Sequence, residues 1–143
     1  MKFSEIEQDQ WSDLKPYLDT CLLPLTGLKG FEDPMQTTQA LEQLRDALDL
    51  IEIPYKGRVV TYPALHYVTG ADMPAQLDTI GLHLKRSGFR YVIVLTIHTP
   101  AEQWQADQID LLITVDMSEW PERANDIKSR ISQQIQQLWQ QGD

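Results

Sequence analysis

Apolar residues along this chain alternate between two kinds of run. Residues 21–25, 58–65 and 91–98 are short and nearly continuous, with the length and β-branched or aromatic content of buried strands. Between them Ala40, Leu41, Leu44, Ala47, Leu48 and Ile51, and then Leu77, Ile80 and Leu84, recur every three or four residues. That spacing puts one apolar stripe on each of two helices. The punctuation agrees: Pro34 or Thr37 can open the first helix, and Asp72 can cap the second, with Pro74 in its first turn and Gly88 at its end. Pro24 and Pro63 cannot donate a ladder hydrogen bond, so both are expected where strands end.

The flanks are less decisive. Residues 109–115 form a fourth strand candidate, but residues 99–108 before it read as either a long loop or a short helix, so the strand's direction stays open. Ala124, Ile127, Ile131, Ile135 and Leu138 predict a terminal helix, with Ser118 as its cap and Pro121 in its first turn. Its glutamine-rich patch is a solvated face. At the other end, Ile6, Trp11 and Leu14 mark a short helix that Pro16 helps to stop. Strand, helix, strand, helix, strand is the order of an α/β fold. We expect one domain over residues 1–143, a sandwich with a mainly parallel sheet of about four strands flanked by helices, Rossmann-like in its core, with right-handed crossovers.

Composition narrows the function without naming it. A formal charge of -9 opposes binding to nucleic acid, which needs cations to displace counterions. Lys85, Arg86 and Arg90 are read as complementing a helix C-terminus. The one cysteine, Cys21, excludes an internal disulfide and a cysteine zinc cage, and reads as a small buried packing residue. No run approaches membrane-spanning length and no charged n-region precedes an apolar stretch, so a cytoplasmic protein without membrane contact is expected. Trp104 and Trp139, outside the main strands, could form a contact surface for a protein partner or a homodimer, or pack peripheral helices onto the sheet.

In parallel sheets ligands bind beyond the carboxyl ends of the strands. His98 and His66 follow the third and second strands and would face one crevice if those strands flank the first; His83, on a helix, reads as structural. Asp72, Glu102 and Asp116 could add carboxylates, but no spacing joins them into a metal or acid–base motif. The loop after the first strand carries Thr26 and Gly27-Leu28-Lys29-Gly30, better read as a turn than as a phosphate loop. Thr26, Lys29, His66 and His98 are therefore the candidate ligand-binding residues. No catalytic residue is assigned, no cofactor is expected, and metal enters only through His98.

Two resemblances add to this reading. Residues 17–25, Lys56-Gly57-Arg58-Val59 with Pro63, and Gly88-Phe89-Arg90-Tyr91-Val92 with Leu95-Thr96 resemble the YpiF-type family, small bacterial proteins of unknown function. Over residues 22–101, a Pro-ending strand, a long helix, Tyr-Pro-Ala-Leu, a second helix and Gly-Phe-Arg-Tyr-Val-Ile-Val resemble creatininase-type metal-dependent amidohydrolases. That likeness implies a creatininase-like core and a metal on the histidine after the third strand. Here His98 is retained, but the Glu and His ligands that should fall within residues 26–30 are absent. The leading expectation is thus a non-catalytic module that binds a protein partner or a small ligand. A metal-dependent hydrolase is the alternative, and nucleotide binding comes third.

Overall fold

A strand that is hydrogen-bonded on both edges and covered on both faces favours apolar side chains, and the continuous apolar runs take those places. In the computed structural model, which describes residues 1–66, 72–97 and 106–142, β1 (Thr20–Leu25), β2 (Val59–Thr61), β3 (Tyr91–Thr96) and β4 (Leu111–Thr114) form one sheet in the order β2-β1-β3-β4. All neighbours are parallel. The fourth run, whose direction its sequence does not set, pairs parallel to β3 from Ile93↔Leu111 to Thr96↔Thr114. Every residue of β1 and β3 is buried.

The period-two alternation of the strands sorts their side chains onto two faces. On one, α2 (Pro34–Glu52) and α4 (Ala124–Gly142) bury Ala47, Ile51, Ile131 and Ile135 against Leu22, Ile93, Leu95 and Ile113. On the other, α3 (Met73–Arg86) sets Leu77 against Leu23, Leu25 and Val94, while Leu84 joins Cys21, Val92 and Phe89 beside the N-terminal segment. The α2 connection steps from β1 to one side over the first face, and the α3 connection steps back to the other side over the second. Two reversals cancel, so both crossovers have the same hand. Among the described residues no helix is long and apolar enough to cross a membrane.

Local chemistry sets the helix ends. Asp33, not Thr37, caps α2: its carboxylate accepts from the Gln36 amide at 2.7 Å while the Gln36 side chain accepts from the Asp33 amide, a capping box with Pro34 next. Asp72 caps α3 through the Ala75 amide. At the other end the Gly88 amide donates to Lys85 and the Phe89 amide to Leu84, closing a Schellman turn that uses the positive φ of Gly88 and packs Phe89 with Leu84. Three expectations are corrected. Ser118 does not cap α4, which starts at Ala124; it lies in a 3-10 turn (Met117–Glu119), held by the Asp116 carboxylate. The N-terminal segment is a 3-10 turn (Phe3–Glu5) followed by a four-residue α1 (Trp11–Leu14), not one helix. Pro24 is the penultimate residue of β1 rather than its last: its own carbonyl and that of Leu22 face the β2 chain, which has left the ladder between Tyr62 and Leu65, so no donor is missed there.

The N-terminus closes the β2 edge. The Thr61 amide donates to the Met1 carbonyl at 2.7 Å, and Lys2 Nζ reaches Glu52 Oε1 at 2.7 Å and Oε2 at 2.9 Å. The buried Thr61 hydroxyl donates to the same carboxylate at 2.6 Å. Burial pushes the Glu52 carboxyl up, but the hydrogen bonds from Lys2 and Thr61 outweigh it and hold the group below its ordinary value. A carboxyl depressed in the folded state contributes stability that is complete above its unfolded pKa, about 4.3, and lost as pH falls through the folded value. Glu52→Gln should therefore lose less stability than the native chain between about pH 6 and about pH 3 in urea titrations. Parallel losses would show that the Lys2–Glu52–Thr61 contact contributes nothing on acidification.

Candidate functional site

With β2 on one side of β1 and β3 on the other, the chain leaves β1 one way and returns the other, so the topological switch point lies between β1 and β3. The next residue after β1 is Thr26, whose side chain is buried although it stands at the mouth of the sheet. Beyond its regular ladder the β2 chain touches β1 once more: the Leu65 amide donates to the Pro24 carbonyl at 2.9 Å and the Thr26 amide to the Leu65 carbonyl at 2.8 Å. That pairing brings His66 beside Thr26, with Oγ1 and Nδ1 2.9 Å apart. Thr26 Oγ1 also accepts from the Leu28 amide at 3.1 Å, so the hydroxyl joins the loop backbone to the imidazole.

The loop that continues from Thr26 is held by its own groups. Glu32 Oε1 accepts from the Lys29 amide at 2.6 Å and Glu32 Oε2 from the Gly30 amide at 3.1 Å, the glycine at a positive φ of 106°. The Lys29 amide, foremost, holds the Glu32 carboxyl below its usual value. The backbone donors that a phosphate would need are thus already serving a carboxylate, and the turn reading of Gly27–Gly30 is the one the geometry favours.

Two large apolar side chains stand on this loop and the helix after it. Phe31 is 79% exposed and Met35 78%. Helix length explains them. The 19 residues of α2, at about 1.5 Å each, span roughly 28 Å, whereas the six of β1, at about 3.3 Å each, cover roughly 20 Å. The first turns of α2 overhang the strand exits, no α2 residue before Leu44 is buried, and Leu41, an expected member of the buried stripe, is exposed.

Of the candidate residues, Thr26 and His66 meet, and Lys29 lies three residues farther along the same loop. His98, Glu102 and Trp104 lie outside the described residues, so the shared crevice of His66 and His98 is neither built nor broken here. Asp72 is engaged in capping α3, and the Ser118 hydroxyl and amide hold Asp116 below the usual carboxylate range. His83 is exposed on α3. Among the described residues no group of three or more His, Cys, Asp or Glu is placed to hold a metal ion. Burial pushes the Cys21 thiol up to about 12, which leaves it protonated and unreactive. Trp139 is packed inside and is not a contact residue. Sequence reasoning overlooked Phe31 and Met35. Their signal was two large apolar residues, one in the loop before a helix and one in its first turn, off the spacing of its stripe.

No curated protein and no solved structure matches the chain. One family model does, over residues 9–141, and its extent agrees with the whole-chain likeness expected of a family of unknown function. On that match the chain belongs to the family described as a protein of unknown function (DUF2487).

Proposed function

We propose that the protein is a non-catalytic, cytosolic binding module whose contact surface is the rim of the strand exits, with Phe31 and Met35 as its anchors and Thr26 and His66 on the wall behind them. The observation that carries this reading is the pair of large apolar side chains held in solvent by a loop that has no slack. Each such side chain gains about 1.5–3 kcal/mol on full burial, so their exposure favours a partner that covers them. The internal bonds of Glu32 and the Asp33 capping box have already ordered the loop, and binding therefore incurs little further entropy loss. A second protein, or a second copy of this chain, suits such a rim better than a phosphorylated ligand, because the loop amides are taken. The hydrolase alternative rests on His98, which lies outside the described residues, and among the described residues no group of three or more His, Cys, Asp or Glu supports it.

The test is a photo-crosslinking amino acid placed at position 31 in cells, with position 53 as control. Ile53 is 71% exposed at the opposite end of α2. Adducts of discrete mass from position 31 and none from position 53 are expected, a doubled mass signifying the homodimer. The same adducts from both positions, or none from position 31, would end this reading.

A further inference from the structure

The two edges of the sheet differ. At the β2 edge the N-terminal segment lies alongside, and the Thr61 amide is bonded to the Met1 carbonyl. At the other edge β4 is the last strand. The Val115 amide donates to the Thr96 carbonyl at 2.9 Å, and the ladder runs unbroken from Ile93↔Leu111 to Thr96↔Thr114. Alternation therefore turns the backbone of Leu111 and Ile113 toward β3 and that of Leu112 and Thr114 outward. Burial agrees, since Ile113 is buried while Leu112 and Thr114 are only half-buried. Among the described residues no backbone group beyond β3 pairs with Leu112 or Thr114.

Natural sheets guard such an edge with lysine, proline, a bulge or brevity. β4 is Leu-Leu-Ile-Thr, uncharged and regular, and keeps only brevity. On the α3 face a cleft of about 210 Å³ adjoins it, lined by Leu77, Val94, Ile109 and Leu112 among others. Outward donors and acceptors at alternate residues, beside an apolar cleft, fit another extended chain. Four residues offer few hydrogen bonds, so a chain that is already a strand, and has no ordering entropy left to lose, suits this edge best. A second copy presents one. Paired antiparallel with the two-fold axis at Leu112, Asp110 stands opposite Thr114 of the second copy and Asp116 opposite Gln108, so no carboxylate faces another. Moving the axis to Ile113 would set Asp110 against Asp116 of the second copy, which like charges disfavour.

We propose that two copies of this chain join edge to edge through β4, antiparallel and centred on Leu112, turning two four-stranded sheets into one continuous sheet. The Leu112 amide of each copy donates to the Leu112 carbonyl of the other, and the two Leu112 side chains meet beside the paired clefts. The short strand limits the interface, so the dimer is reversible and fills only at high protein concentration. This interface is independent of the strand-exit rim and uses none of its residues.

Sedimentation equilibrium of the full chain between about 5 and about 500 µM tests this, and the mass should rise toward that of two chains. Thr114→Pro removes an amide that β3 does not use, so the ladder survives and the mass should stay at one chain. Leu112→Lys and Leu112→Glu should each be monomeric, because each would face its own charge. An equimolar mixture of the two should associate at least about tenfold more tightly than either alone, as only a register with position 112 opposite itself allows. Thr114→Pro and the native chain decide the matter if a charge at position 112 prevents folding. Phe31→Ser/Met35→Ser should dimerise like the native chain, which separates this interface from the rim. A monomer at every concentration, a dimer that Thr114→Pro leaves intact, folded Leu112 variants that gain nothing on mixing, or loss of the dimer in Phe31→Ser/Met35→Ser would each overturn the proposal.

Discussion

Trp139→Ala is expected to lower the free energy of unfolding by about 3–5 kcal/mol. The indole is 8% exposed near the end of α4 and joins three elements. Its face carries the Arg58 guanidinium at 4.1 Å, and Tyr55 stands perpendicular to it with centroids 5.0 Å apart. Its Nε1 donates to the Thr20 hydroxyl at 3.0 Å, at the first residue of β1. That hydroxyl donates to Asp19, whose carboxylate takes both Arg58 Nε at 2.9 Å and an Arg58 terminal nitrogen at 3.2 Å. Removing the ring leaves a cavity and uncovers the arginine in one step. Trp139→Phe keeps most of the volume and loses the Nε1 bond, so it should cost only about 1–2 kcal/mol. Arg58→Ala should also cost less in the Trp139→Ala background than alone, with a coupling of about 0.5–3 kcal/mol. Urea unfolding of the four chains of that cycle measures this, and additive losses would mean that the arginine does not depend on the ring.

That cluster also shows where sequence reading stops. Trp139 and Thr20 are 119 residues apart, and nothing local to either distinguishes an indole that anchors the last helix from one that greets a partner. β1 and β3 were legible because enclosure on all sides leaves them almost wholly apolar, with Thr20 and Thr96 only at their ends. β2 was legible only in outline. Residues 58–65 read as one strand, yet the ladder holds only Val59–Thr61, since the chain leaves around Pro63 and touches β1 again at Leu65. β4 is partly exposed, so its pattern is thin, and its direction depends on the connection before it rather than on its own residues. The Thr26–His66 contact arises from the Leu65 pairing, a backbone event with no side-chain signature. Thr26 and His66 could each be placed at a strand exit, but not against one another.

Leu22→Ala is expected to cost about 2–5 kcal/mol, and Leu41→Ala to fall within about 0.5 kcal/mol of the native chain. Both leucines sit in apolar patterns of similar strength, and the contrast isolates what enclosure contributes. Leu22 has no exposed surface and lies on β1, hydrogen-bonded to β2 and β3 at once. It packs in the cluster that joins α2 and α4 to the sheet, where truncation leaves a cavity that neighbours fixed by two ladders cannot fill by shifting. Leu41 is 45% exposed on the overhanging turns of α2, where water replaces whatever is removed. Denaturant titration should show the Leu22 loss as a lower midpoint with an unchanged slope. If Leu41→Ala proved as costly as Leu22→Ala, the first turns of α2 would be packed against something in solution. The overhang would then be a covered surface, and the strand-exit rim would already have its occupant.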